Sequence, residues 1–308
     1  MSVFQSSTAS FNPVINEAVN AVDRQQFVGT RILPIQNTPS MSGKYVKVTA
    51  AQFDNDVSKP RAAGSNFSQT SSEYGSGSFA CEQYGVENAI DSIDLQKAES
   101  DALYDVATAA AKRLADNLMV GHELRVASQL SSASFNSTAA TAVMSNASTA
   151  TPIADVNNAV QRLYANGQFT GIHLIIESSL YQEMTQTDDM RNLINGSGAL
   201  AYSTDQVAKV LGVEGVIICN TRYNSAAKGQ AASRAKVWPT TSYYVASVQG
   251  GALANGGIGR TLSYNELGGA FTTETFRTEQ PPASVVRVSQ CVDEIIINDS
   301  AGEKITGA

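Results

Sequence analysis

Hydrophobic positions recur at intervals of three and four in one long window and alternate every second residue in several others. Between 91 and 130, Leu95, Leu103, Val106, Ala107, Ala110, Leu114 and Leu118 fall on one stripe, the spacing of an amphipathic helix. Asp91, Ser92 or Asp94 stands where an N-cap belongs, and Gly121 is placed to bend or end the helix. At about 1.5 Å per residue such a helix approaches the width of a small domain. A shorter helical pattern, Val14, Ile15, Ala18, Val19 and Val22, lies within the otherwise polar residues 1–30.

Residues 152–250 alternate helical patterns with apolar runs. TPIADVNNAVQRLYANG has Thr151 at the cap, Pro152 at the first helical position, a stripe of Ile153, Val156, Val160 and Leu163, and Gly167 as its stop. IHLIIES and EGVIICNTRY read as buried strands, and SRAKVWPTTSYYVASV as a further one. SSLYQEMTQTDDMRNLI reads as a second helix and STDQVAKVLG as a third, capped by Ser203 or Thr204. The succession predicts an α/β layer. Residues 258–308 are β-rich, and SVVRVSQ and EIIIN predict two paired strands joined by a tight turn.

Residues 31–90 are different. GKYVKVTAAQF alternates, with Tyr45 facing away from Val46 and Val48, and YGVENAIDSIDL returns as a second extended piece. Between them, residues 58–85 are rich in Ser, Gly and polar side chains, with Phe67, Tyr74, Phe79 and Tyr84 spaced through them. The pattern predicts a long open hairpin. An isolated hairpin is marginal in water, so this one must lie on something. Residues 131–151, low in charge and rich in Ser, Thr and Ala, predict a loop or a short exposed β-arm.

Composition sharpens this picture. Of 308 residues 43% are hydrophobic, enough for one large core or two modest ones. Only 16% are charged, against about 25% in ordinary soluble domains, so much of the surface is expected to be hidden against partners. The net charge is −7 and no strongly basic stretch occurs, which excludes the electrostatic footprint of a dedicated nucleic-acid binder. A container wall around nucleic acid needs no such footprint. No window is apolar enough to span a membrane, and the first residues do not form a signal peptide. Cys81, Cys219 and Cys291 are far apart and odd in number, so free thiols are expected.

Catalytic chemistry is not legible. His122 lies on the long helix and His173 begins a buried strand, neither at a telling spacing from a partner; a structural role is expected of both. The Gly-rich run GALANGGIGRTLSY leads into a strand, not a helix, so it is not a dinucleotide fingerprint. No zinc spacing, P-loop or nucleophile elbow occurs. Adjacent Asp188 and Asp189 face different ways on a helix, and Trp238 reads as a packing residue. No cofactor or metal is expected.

The order of parts, together with ADVNNAVQRLYANGQFTGIHLIIESSLYQEM, QVAKVLGVEGVIICNTRYNSAAKG and the closing strands from GRTLSYNELGG onward, resembles the major capsid proteins of tailed bacteriophages. These have the Hong Kong 97-type fold, shared with encapsulin shells. The resemblance covers nearly the whole chain and implies an α+β fold. Its parts would be an N-terminal arm (1–30), an extended E-loop (31–90), a P-domain with its spine helix and following loop (91–151), an A-domain (152–257) and return strands of the P-domain (258–308). It implies a structural protein, not an enzyme, that self-assembles as hexamers and pentamers into an icosahedral shell around double-stranded DNA, contacted non-specifically. An encapsulin-type nanocompartment is the alternative. Scaffolding protein, portal and decoration or cement proteins would be partners, and the virion, assembled in the bacterial cytoplasm, the location. Phe67, Tyr74, Phe79 and Tyr84 would touch a neighbouring subunit. Some relatives cross-link a loop Lys to a neighbour's Asn; Lys59 and Asn298 are the residues so placed here, and an ordinary solvated Lys is the simpler reading.

Overall fold

Alternation and helical spacing give the expected mixture of strands and helices. The computed structural model describes residues 10–22, 24–48, 60–61, 64–67, 74–101, 105–167, 169–195, 203–227, 229–251, 256–265 and 270–308. Chain order runs β1 (Ser10–Phe11), α1 (Pro13–Asn20), the single-turn α2 (Gly29–Ile32), β2 (Ile35–Asn37), β3 (Ser42–Val48), β4 (Tyr74–Ala80), β5 (Glu82–Asp91), α3 (Ser92–Asp101) and α4 (Val106–Ser132). Next come β6 (Asn136–Ala139), α5 (Pro152–Asn166), β7 (Ile172–Glu177), α6 (Ser178–Gln186), α7 (Asp188–Asn195), α8 (Thr204–Leu211), β8 (Gly215–Cys219), β9 (Arg222–Asn224), β10 (Arg234–Lys236) and β11 (Ser242–Ser247). β12 (Gly259–Ser263), β13 (Thr272–Glu279), β14 (Pro282–Ile296) and β15 (Gly302–Thr306) follow.

Two sheets organise the body. One has the order β1-β13-β14-β12-β2, with β5 on the other side of β14. The other has the order β6-β15-β11-β7-β8. It mixes parallel pairs (β7 with β8, β15 with β6) and antiparallel ones (β11 with β7 and β15). β6 and β15 come from outside 152–257, so the α/β layer is completed by the segment after α4 and by the C-terminal residues.

α4 joins the two sheets. Its first half places Ala111, Leu114, Ala115, Leu118 and Met119 in a core with Ile15, Val19, Ile90, Val286 and Val288. Its second half places Val126, Ala127 and Leu130 in a larger core with Val156, Leu163, Leu174, Ile176 and Tyr244. Two buried polar residues, His122 and Glu123, fall between these halves. Elsewhere the chain crosses between the sheets twice. The segment after β11 is clamped by buried Arg260, whose guanidinium donates to the carbonyls of Gly251, Gly256 and Gly259. The segment after β14 bonds to that first crossing, with the Ile297 and Asn298 amides donating to the Ile258 carbonyl.

Several expectations change. The single helix over 91–130 is two, because Asp105 starts a new one: its side chain accepts from the Ala107 and Thr108 amides, a cap that a hydrophobic stripe does not register. Leu103 lies outside the described residues. Gly121 neither ends nor caps α4, which runs on to Ser132; buried neighbours on both sides outweigh glycine's cost of about 1 kcal/mol in a helix interior. The helix expected over 178–194 divides at Thr187, an extended residue whose hydroxyl donates to the Met184 carbonyl. Val14, expected on the buried stripe, is 75% exposed.

The segment 234–247 forms two strands, β10 and β11, and EGVIICNTRY likewise divides into β8 and β9. SVVRVSQ and EIIIN are not a hairpin but two halves of the one strand β14. Its intervening Cys291 and Val292 stay in the ladder opposite Gln83 and Glu82, and the tight turn lies before it, at Gln280–Pro281.

Candidate assembly surface

The hairpin is built from β3 and β4, paired from Ser42↔Ala80 to Val48↔Tyr74. Among the described residues they form a two-stranded sheet of their own. The return strand is therefore YGSGSFA, inside the Gly/Ser-rich stretch. The segment expected to return, from Tyr84 onward, instead joins the body within β5, which pairs along ten residues of β14. Glycine explains how so polar a strand pairs. Tyr45 stands opposite Gly77 and Phe79 opposite Gly43, each ring lying over the glycine's bare backbone.

Among the described residues, contacts of the hairpin with the body concentrate at its base. Tyr45 is buried with Cys81, Leu262 and Ile295, and Phe79 packs partly against them. The Ala80 amide donates to Asp293 at 2.9 Å, and the Cys81 amide to the Met41 carbonyl at 2.7 Å. Further out, Val46 is 54% exposed and Phe67 74%, its ring under the guanidinium of Arg61 at 4.7 Å.

The four residues expected to touch a neighbour are thus differently placed. Phe67 is free to meet one, and Tyr74 is positioned by its backbone pairing with Val48. Phe79 is half-buried at the hairpin base. Tyr84 sits on β5 beneath Arg125, 3.8 Å from ring centroid to guanidinium, and its hydroxyl donates to Glu82. Lys59 lies outside the described residues. Asn298 caps a 3-10 turn by accepting from the Ser300 amide.

Behind Tyr84 a polar chain runs through the body. Arg125 donates from Nε to both oxygens of Glu294, at 3.0 Å each. Glu294 lies 3.6 Å from the Nε2 of His122, which also contacts the Thr261 hydroxyl at 3.1 Å. Burial, with the Arg125 cation beside it, holds the His122 imidazole down to about 3. The ring is therefore neutral at physiological pH, and its contact with Glu294 is not an ion pair. Glu123, fully buried, accepts from Gly29 N at 2.9 Å, Val28 N at 3.4 Å, Thr221 Oγ1 at 3.1 Å and Trp238 Nε1 at 2.8 Å. Trp238 is thus a packing residue with a polar tie. Sequence reasoning passed over Glu123 because a lone glutamate on a helix reads as a solvated one.

Other polar clusters are structural. Glu177 caps α6, accepting from the Ser179 amide, and pairs with Lys236 at 3.2 Å. Asp189 accepts from the Ile153 amide and so caps α5. His173 contacts the Gly171 carbonyl. The three cysteines are free. Among the described residues no group of His, Cys, Asp and Glu is arranged to hold a metal, and no helix is long and apolar enough to cross a membrane.

No family model matches the chain, and neither does any curated protein. Solved structures do match, over almost the full length. A phage-related protein from Bordetella bronchiseptica RB50 superposes with a TM-score of 0.75 at 13% identity, covering 97% of this chain and 98% of that one. The capsid protein of cyanophage P-SCSP1u gives 0.61 at 14% identity, covering 100% and 93%. A putative capsid protein of a prophage in E. coli CFT073 gives 0.60 at 9%, covering 98% and 100%.

Proposed function

We propose, from the premise that this chain has the fold of phage capsid proteins, that it is the major capsid protein of a tailed double-stranded DNA phage. Copies would assemble as hexamers and pentamers into a closed icosahedral shell. In that reading the β3–β4 hairpin is the E-loop, α4 the spine helix of a P-domain built on the β14 sheet, and the β7–β11 layer the A-domain. The observation that carries the reading is the hairpin: among the described residues its two strands pair only with each other, and Phe67, in the segment between them, is 74% exposed. Ordering a segment costs roughly 1–2 kcal/mol per residue. Burial against a neighbouring copy, at roughly 25 cal/mol per Å2 of apolar surface, offsets that cost. The chain's net charge of −7 keeps packed DNA from adhering to the wall. Scaffolding, portal and cement proteins are the further partners this role implies.

Negative-stain microscopy of the purified chain tests the proposal. Closed particles of uniform diameter are expected, and soluble monomers under all conditions of salt and concentration would refute it. The contents of particles isolated from infected cells separate the two shell readings: DNA supports a capsid, and an enzyme cargo supports a nanocompartment.

A further inference from the structure

The two cores meet α4 on either side of a polar pair, and that interruption needs a reason. Residues 111–119 pack into the core of the β14 sheet and residues 126–130 into the core of the β7–β11 layer. An apolar residue at 123 would continue the stripe, yet the position holds a carboxylate that is 0% exposed. A buried carboxylate costs several kcal/mol unless its oxygens are satisfied. Here four donors satisfy it, and they come from three separate parts of the chain. Val28 and Gly29 belong to the N-terminal segment at the start of α2. Thr221 lies between β8 and β9, and Trp238 between β10 and β11.

We infer that Glu123 is a positioning residue that fixes the angle at which the β7–β11 layer is set on α4 and the β14 sheet. Apolar packing is non-directional and permits small rotations. Four hydrogen bonds to one carboxylate at 2.8–3.4 Å hold only in one mutual orientation, because each donor has its own direction. Trp238 reaches Glu123 as a rigid lever, one indole edge packed in the layer's core and the N–H on the helix. His122 next to it faces the opposite body, through Thr261 and Glu294. Neighbouring positions on α4 thus hold one body each.

Glutamine at 123 keeps the shape but replaces one acceptor oxygen with a donor. Whichever way its amide turns, it faces either the Gly29 amide or the Thr221 and Trp238 donors with a like group. Two spin labels read the angle, one at Tyr164→Cys on α5 and one at Arg277→Cys on β13. Both sites are exposed. The background carries Cys291→Ala, Cys81 and Cys219 being buried, and labelled chain is diluted into unlabelled chain so that only distances within one copy count.

The wild-type chain should give one narrow distance peak. Glu123→Gln should shift or broaden it. Leu163→Ala, a truncation in the layer's core that leaves the four bonds in place, should lower the melting temperature at least as much and leave the peak unchanged. If Glu123→Gln does not fold, Thr221→Val, which removes one donor of matching shape, takes its place. A wild-type peak in the polar variant, or equal broadening in Leu163→Ala, would overturn the inference. Resting on the shell reading, the same angle sets the curvature between subunits, so Glu123→Gln particles should vary in diameter. The distance measurement does not need particles, so it decides the role of Glu123 even if the shell reading fails.

Discussion

The ring of Tyr45 occupies the space that a side chain at position 77 would fill: a Cβ on Gly77 would come within 2.3 Å of its Cζ. The two are directly paired across β3 and β4, and Tyr45 also anchors the hairpin base in a small core with Leu262 and Ile295. Gly77→Val should therefore expel Tyr45. The expected loss is about 2–3 kcal/mol of burial, confined to the hairpin base. Thermal unfolding should show a body that still folds, while microscopy should show few or no closed particles.

His122 gives the fold an acid-sensitive point. The buried ring stays neutral down to about pH 3, whereas in the unfolded chain it takes up a proton as pH falls through about 6.5. Between those values the unfolded state binds the extra proton, so stability falls as pH drops. At about 1.4 kcal/mol per unit the loss approaches about 5 kcal/mol at the acid end. Burial raises Glu123 and Glu294. Their contribution has the opposite sign: it is present at low pH and lost as pH rises through their folded values. His122→Gln isolates the ring: its urea midpoint should depend less on pH between 6.5 and 4 than the wild type's does.

Arg125 neutralises Glu294 in a setting where the carboxylate is 5% exposed. Arg125→Met should destabilise by about 3–5 kcal/mol, because it leaves a buried charge without its partner. Adding Glu294→Leu should recover most of that loss, which chemical denaturation of the two variants would measure. An unrecovered double mutant would mean that Arg125 acts mainly through its stacking on Tyr84.

Leu114, 5% exposed on α4, tests the first core. Leu114→Asp removes an apolar side chain and buries a charge, so the subunit should fail to fold at physiological temperature. Circular dichroism without native helix would confirm this, and a soluble variant that assembles normally would contradict it.

The sequence made the periodic elements plain and hid the long-range ones. α5 was legible from Thr151 to Gly167 because proline, stripe and stop agreed, although the Thr151 side chain makes no capping bond and Asp189 supplies one instead; of the two caps expected for α8, Ser203 is the one formed, in a capping box with Gln206. The hairpin was legible as an extended segment without a core, but its register was not. Gly75 and Gly77 fall in the Gly/Ser-rich stretch between the two expected strands, yet both pair within β4, and Tyr45 covers the second of them. The ladder that carries β14 through Gln290 depends on β5, some 200 residues away, and no local pattern contains it. Glu123 was invisible for a related reason: its donors lie at 28–29, 221 and 238, and only the folded chain brings them together.

Sedimentation of the wild-type chain beside one lacking residues 60–80 tests the central claim most directly. The wild type should sediment as large closed particles, and the deletion as folded small species with the wild type's helical content. Equal sedimentation of the two, whether both as particles or both as single subunits, would contradict the account.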